Sequence, residues 1–296
     1  MAEVSEKTSD DLNKYRQCLL DLSEPVAKRT HAAFHLRTMG TVDAMYVIAA
    51  ALKQREDSSL MRHELAYILG QMQCLEASET LTGILQDETE DVLVRHESAE
   101  ALGALGQSES IGVLSEYVNH IEPEIAETCQ IAIDLIKYRH EQNGGLQEEK
   151  GEFLSVDPAP GFRETRTVPE LESALMDQNK SLFTRYRAMF SLRNINTDDS
   201  ARAITKGFSD PSALFRHEVA YVLGQLMRAV TVPELSTVLR NLSEHRMVRH
   251  EAAEALGAIG TPEAELVLEE FKNDAELVVL QSCEVALDTA QYWKDF

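Results

Sequence analysis

Four copies of the tripeptide Arg-His-Glu are the part of this sequence whose residue types and spacing point to chemistry. Their histidines are His63, His96, His217 and His250. The step from 63 to 96 and from 217 to 250 is 33 residues, and the second pair follows the first by 154 residues. Two histidines with one carboxylate and open positions form the ligand arrangement of oxygen-activating non-haem iron. Each half of the chain offers one such set.

The residues that follow each motif show that the chain is duplicated. Glu-Leu-Ala-Tyr-Ile-Leu-Gly-Gln follows His63, and Glu-Val-Ala-Tyr-Val-Leu-Gly-Gln follows His217. Glu-Ser-Ala-Glu-Ala-Leu-Gly-Ala follows His96, and Glu-Ala-Ala-Glu-Ala-Leu-Gly-Ala follows His250. A zinc-protease pattern, His-Glu-x-x-His, is excluded because no motif histidine has a second histidine four residues later. One Arg-His-Glu alone would be an ordinary surface or capping feature, whereas four at matching positions indicate a site.

The segments that must position these motifs are helical. From Asp11 onward, apolar residues recur at helical spacing between short turns, and no strand-like alternation is sustained. A period of about 33 residues is typical of a solenoid of helix pairs. Asp210-Pro211 and Ser243 are predicted helix caps. The predicted fold class is all-α, with eight helix pairs near residues 11–39, 41–72, 76–105, 108–139, 168–194, 198–228, 231–260 and 262–292.

The predicted domain organisation is two four-pair halves joined by a linker. Asn143-Gly144-Gly145 and Pro158-Ala159-Pro160-Gly161 favour a linker over another helix pair. The outer pairs lack the motif, and one period beyond His96 and His250 stand Cys129 and Cys283, small residues suited to burial. The predicted boundaries are 1–140 for the N-terminal half, 141–166 for the linker and 167–296 for the C-terminal half.

Equivalent positions in stacked helix pairs line up along one surface. His63 and His96 are therefore expected to be neighbours, as are His217 and His250, and two facing halves would bring four histidines and four glutamates together. The motif arginines are expected to link adjacent repeats, and four glycines to mark helix ends or close packing. These residues are Arg62, Arg95, Arg216, Arg249, Gly70, Gly103, Gly224 and Gly257. The histidines outside the motif, expected on the surface or in the core, are His31, His35, His120, His140 and His245.

Composition narrows the classes of partner. The 28 basic and 50 acidic residues give a formal net charge of −22, which disfavours nucleic acid and anionic membranes and favours a basic partner. The four cysteines form no close-spaced pair, so reduced, intracellular cysteines are expected. Neither a targeting segment nor a membrane span is recognisable, and a cytoplasmic location is expected.

The paired Arg-His-Glu motifs, the 33-residue step, the duplicated halves and the linker resemble the deoxyhypusine hydroxylases over essentially the whole chain. The resemblance implies a HEAT-repeat α-solenoid, or superhelix, that hydroxylates deoxyhypusine, a modified lysine of translation initiation factor 5A, to form hypusine. It implies two Fe²⁺ ions per chain and O₂ as co-substrate. The implied ligands are His63, His96 and Glu97 for one iron and His217, His250 and Glu251 for the other. The implied substrate-binding residues are Glu64 and Glu218.

Two other interpretations remain open at the level of sequence. A metal-free HEAT-like interaction scaffold would share the Ala-Leu-Gly repeat texture, as bilin lyase-type proteins do, but it would not need histidine in the middle pairs only. A di-iron enzyme of the same fold acting on another amine or protein would share every motif. We expect the chain to be a monomer with a protein substrate and with neither nucleic acid nor membrane as partner.

Overall fold

A computed structural model of the chain describes residues 2–142 and 153–294, and within these ranges it contains helices and no β-strand. Sixteen α-helices in the described residues form eight pairs, which confirms the all-α solenoid prediction. Residues 143–152 of the predicted linker lie outside the described ranges. The helices are α1 Ala2–Leu20, α2 Val26–Met39, α3 Val42–Leu52, α4 Ser59–Met72, α5 Ser78–Gln86, α6 Val92–Leu105, α7 Ser110–Tyr117, α8 Pro123–Gln142, α9 Val168–Met176, α10 Leu182–Ile195, α11 Asp198–Thr205, α12 Ala213–Leu226, α13 Val232–Arg240, α14 Arg246–Ile259, α15 Pro262–Phe271 and α16 Leu277–Lys294.

The second helices of the pairs form a closed ring. Helices α4, α6 and α8 pack side by side in the first half, and α12, α14 and α16 do the same in the second. The halves then meet at both ends, because α8 contacts α10 and α12 while α16 contacts α2 and α4. The motif lies in the second turn of α4, α6, α12 and α14, so all four copies belong to the ring.

Glycine allows the ring helices to approach closely. A Cβ atom on Gly70 of α4 would lie 2.9 Å from the Cα atom of Ala101 in α6, and one on Gly257 would lie 2.5 Å from the Cβ atom of Ala286. The expectation of close packing is confirmed at both glycines. Gly70 does not end its helix, because the left-handed C-cap of α4 is Gln73.

Three of the four motif arginines, Arg62, Arg216 and Arg249, link adjacent repeats through carboxylates, as predicted, whereas Nη2 of Arg95 has no hydrogen-bond partner among the described residues. Nε of Arg62 donates to the carbonyl oxygen of Leu52, 2.9 Å away at the end of the preceding helix, and its guanidinium pairs with Glu90 in the next repeat. Arg249 donates likewise to Leu239 and pairs with Asp274 at 2.6 Å. Both guanidinium groups are buried. They tie each helix pair to its own turn and to the following pair.

Two predicted caps are wrong. Helix α12 is capped by Ser212, whose hydroxyl accepts from the backbone N–H of Phe215 at 3.0 Å, and not by Asp210-Pro211. The carboxylate of Asp210 instead pairs with Arg185 and accepts the N–H of Ser212. Helix α14 is preceded by His245 as N-cap, while Ser243 lies in the turn before it.

The buried apolar residues form two clusters. One is built from α1 to α8, and the other mainly from α9 to α16. Cys129 and Cys283 are buried, as expected, and all four cysteines are free thiols. Among the described helices, none combines the length and apolar character needed to cross a bilayer.

Candidate metal centre

The four motif histidines converge at the centre of the ring. Ring centroids lie 5.5 Å apart for His63 and His96, and 5.3 Å apart for His217 and His250. Contacts across the two halves are as short, at 5.1 Å between His63 and His250 and 5.4 Å between His96 and His217. The predicted convergence of the two halves is therefore present in the structure.

Each histidine cluster is completed by a carboxylate from the neighbouring helix. An oxygen of Glu97 lies 3.2 Å from Nε2 of His63, and an oxygen of Glu251 lies 3.3 Å from Nε2 of His217. All four side chains are at least nine-tenths buried. The two contacts are equivalent under the 154-residue repeat, so the duplication of the sequence is reproduced in the geometry of the site.

Three groups of side chains bring potential ligand atoms within 4.8 Å of one another. One contains His63, His96 and Glu97, which is the set implied for one iron. The second group contains His250 and Glu251 of the other implied set, together with Glu254. His217, the remaining member of that set, contacts Glu251 at 3.3 Å. The third group contains His63, His217 and His250, so the ligand atoms of the two halves are interleaved.

Several nitrogens of these histidines have no hydrogen-bond partner among the described residues. Both ring nitrogens of His96, Nδ1 of His217 and Nε2 of His250 are buried in this state. Buried polar atoms in proteins are normally paired. Imidazole nitrogens whose lone pairs face a shared space are ligands suited to first-row metal ions. The residues present therefore fit a metal centre.

Burial controls the protonation of the histidines. It lowers the pKa of His96 and of His250 well below the ordinary value, and the neighbouring imidazoles lower both pKa values further. These two rings are therefore neutral near pH 7, which is the form that binds metal. Burial acts in the same direction on His63, but Glu97 and Glu64 outweigh it and hold the pKa of His63 well above its ordinary value.

Two of the motif histidines, His63 and His217, line a cavity of about 580 Å³ that is rich in carboxylates. Among the described residues that line it there is no lysine or arginine. Burial, reinforced by the neighbouring carboxylates, raises the pKa of Glu100, Glu218 and Glu254 well above the ordinary value. Such a cavity is suited to cations. Its glutamates are Glu64, Glu97, Glu100, Glu218, Glu251 and Glu254.

Both residues implied to bind substrate line this cavity. Glu64 lies 3.2 Å from Nδ1 of His63, on the side of the ring away from Glu97. Glu218 is 2% exposed, and its Oε1 atom has no hydrogen-bond partner in the described part of the chain. A buried carboxylate without a partner is costly, so Glu218 is prepared to receive a cationic group.

Sequence reasoning missed several residues of the cavity. The hydroxyls of Tyr67 and Tyr221 lie 3.0 Å apart, and burial raises the pKa of both groups. Together with Glu100 and Glu254, these tyrosines occupy the fourth position after each motif histidine, a pattern that was visible in the repeats. His31 and His35 also line the cavity from α2, and no repeat pattern singled them out.

Both the sequence and the fold of the chain match those of known proteins. A family model for HEAT repeats matches residues 47–133 and 201–288. The chain is 45% identical to human deoxyhypusine hydroxylase over 96% of this chain and 93% of that protein, and 46% identical to the Candida albicans enzyme of the same name over 90% and 87%. The solved structure of the human enzyme in complex with glycerol matches with a TM-score of 0.94 and 43% identity, covering 99% of this chain and all of that one.

Proposed function

The chain belongs to the deoxyhypusine hydroxylase family, and on that premise we propose that it is a di-iron, O₂-dependent monooxygenase whose substrate is the deoxyhypusine side chain of translation initiation factor 5A. Membership makes the chain an enzyme rather than an interaction scaffold. The observation that carries the proposal is the centre of the ring, where the four motif histidines converge beside a cavity that six glutamates line without a lysine or arginine among the described lining residues.

The proposed iron ligands are His63, His96 and Glu97 for one ion and His217, His250 and Glu251 for the other. Their support is the convergence of the rings, the unpartnered nitrogens and the 3.2 and 3.3 Å histidine–glutamate contacts. These residues would hold two ferrous ions, which would supply the two electrons needed for one atom of dioxygen to enter a C–H bond while the other leaves as water. The cross-half group of three histidines implies that binding also ties the two halves together.

Substrate binding is assigned to the remaining carboxylates of the motif. Deoxyhypusine carries two amines on a long alkyl chain, and both are ammonium ions near neutral pH. Glu64 and Glu218, placed on α4 and α12, would pair with these ammonium groups and so fix which carbon faces the metal centre. An arriving ammonium also favours the ionised form of Glu218, whose pKa is raised by burial and by the neighbouring carboxylates.

Two of the histidines at the centre are shielded from bulk water. His96 and His250 have no exposed surface, and the hydroxyls of Tyr67 and Tyr221 hydrogen-bond to each other in the cavity wall. The burial of Glu218, which is 2% exposed, strengthens its contact with an ammonium group. The net charge of −22 further favours encounter with a basic, lysine-bearing loop of the protein substrate.

The test is to load the purified protein with Fe²⁺ and supply deoxyhypusine-bearing factor 5A with isotopically labelled dioxygen. Mass spectrometry is expected to find one labelled oxygen atom on the deoxyhypusine side chain. Glu218→Gln is expected to keep the iron, because Glu218 is not a proposed iron ligand. It is expected to lose turnover, because it removes the charge that pairs with substrate. A hydroxylated product whose oxygen comes from water would refute the monooxygenase assignment.

A further inference from the structure

The two halves of the ring are equivalent in sequence but not in access to the metal centre. Between α2 and α16 the cavity reaches the surface, because His35 and Thr38 line it and are exposed, and Thr289 lines it and is half-buried. A hydrogen-bond contact spans this seam, with Nε2 of His31 2.6 Å from a carboxylate oxygen of Asp288. We call this opening the α2–α16 mouth.

The pseudo-equivalent position in the other half is almost filled. Only a void of about 10 Å³ lies there. Its lining includes Glu100, Ile131 and Leu135, which correspond through the 154-residue repeat to Glu254, Val285 and Thr289 of the open mouth. One lining residue, Pro158, has no counterpart because it comes from the segment that connects the halves.

That connecting segment is held in place by burial and by hydrogen bonds to two helices. Pro158 and Ala159 are buried, and Ala159 has no exposed surface. The backbone of Val156 makes two hydrogen bonds with the side chain of Gln71, at 2.8 and 3.1 Å. Asp157 accepts from Arg193 at 2.6 and 2.8 Å. These contacts join the segment to α4 on one side and to α10 on the other.

Residues 160–162 of the segment hydrogen-bond to polar side chains of α10 that would otherwise border a second mouth. Arg187 of α10 donates to the carbonyl oxygens of Pro160 and Gly161, at 3.1 and 3.3 Å. Ser191 accepts the backbone N–H of Phe162 at 2.7 Å. On the open side, Ala33 and Arg37 of α2 occupy the positions equivalent to Arg187 and Ser191, and His31 and His35 of the same helix line the cavity. The closed side therefore differs from the open side by the connecting segment and by larger apolar side chains, since Leu135 and Leu192 stand at the positions of Thr289 and Thr38.

We propose that residues 156–159 act as a plug that closes one of two pseudo-equivalent entrances, so that the deoxyhypusine side chain reaches the centre only through the α2–α16 mouth. The inference rests on the proposed function. Inside the cavity the two halves offer matching carboxylates, so two open mouths would admit an elongated diamine in two opposite directions. A single mouth admits it in one direction, so the leading ammonium group always meets the same one of the two carboxylate sets.

The first experiment measures how tightly the metal-free protein binds a peptide that bears deoxyhypusine. Thr289→Trp, which fills the open mouth, is expected to weaken binding by at least about tenfold. The control is Asp134→Trp on the closed side, where Asp134 lies one position before the counterpart of Thr289, and it is expected to change affinity by less than about twofold. Equal weakening by both variants, or no effect of Thr289→Trp, would overturn the single-mouth proposal.

The second experiment tests the plug without substrate. Thr289→Cys is expected to react rapidly with a maleimide, whereas Leu135→Cys is expected to be protected, with the modified positions located by peptide mass mapping. Combining Leu135→Cys with Asp157→Ala and Pro158→Gly is expected to remove most of that protection. Equal labelling rates at positions 135 and 289 in the otherwise unaltered chain would contradict the plug. If the labelling contrast is present and the peptide does not bind the unaltered protein, the proposed substrate is wrong and the plug stands.

Discussion

Gly70→Ala is expected to push α4 away from α6, the two helices that carry His63 and His96. The added Cβ atom would lie 2.9 Å from the Cα atom of Ala101 and 3.0 Å from its Cβ atom. Ordinary contacts of this kind begin near 3.4 Å, and a backbone atom cannot rotate out of the way. The helices must therefore separate by at least about 0.5 Å.

Two opposing effects set the size of the change in stability. Replacing a glycine inside a helix by alanine stabilises by about 0.5–1 kcal/mol when space is available. Overpacking a close contact costs about 1–3 kcal/mol. The net loss in free energy of unfolding is therefore about 1–2 kcal/mol. A displacement of about 0.5 Å is also the tolerance of a preorganised site, so the group formed by His63, His96 and Glu97 is expected to bind iron more weakly.

Urea denaturation of the metal-free protein and iron content after loading measure the two consequences. The matched control is Gly83→Ala in α5, because a Cβ atom on that exposed glycine would meet no atom within 4 Å. The control is expected to gain about 0.5–1 kcal/mol and to keep its iron. A Gly70→Ala protein as stable as the control, with full iron content, would refute the reasoning that glycine sets the spacing of the site.

Three further predictions concern the repeats and the metal. Arg62→Ala leaves the buried Glu90 carboxylate with only the N–H of Asp91 and a 4.0 Å contact from Arg55, and it is expected to cost about 3 kcal/mol in urea denaturation. Arg240→Ala, at a half-exposed pair, should cost at most about 1 kcal/mol. Burial acts to raise the pKa of Asp274, but Arg249 holds that pKa below the ordinary value. The stability contributed by this pair is therefore present above about pH 4 and is lost as the pH falls further. Acid denaturation of Asp274→Asn should lack this component. Fe²⁺ at 100 times its dissociation constant should raise the unfolding free energy by about 2.7 kcal/mol, and an unchanged urea midpoint would argue against coupling of metal and fold.

The repeat pattern predicted most of the fold and the position of the histidines. The 33-residue step places His63 and His96 on equivalent turns of adjacent helices, and the 154-residue duplication does the same for the second half. The structural role of Arg62 followed from its place in the repeat, since the same arginine contacts recur at Arg249. Such features are local or periodic, so a single sequence carries them.

Other features depend on contacts between distant segments and have no periodic signal. The docking of Val156 on Gln71 joins residues 85 positions apart, and nothing in the linker composition indicated it. His31 lines the cavity because the ring closes through α2 and α16, which a stack of repeats does not require. The caps at Ser212 and His245 were missed because nearby side chains compete for the same turns.

The measurement that decides the proposed function is the iron content of the purified, ferrous-loaded protein and of its single variants. About two irons per chain are expected in the unaltered protein and in Glu64→Ala and Glu218→Ala. Fewer irons are expected when alanine replaces any of His63, His96, Glu97, His217, His250 or Glu251. A His96→Ala protein that retains both irons, or an unaltered protein that binds none after loading, would contradict the proposed di-iron centre.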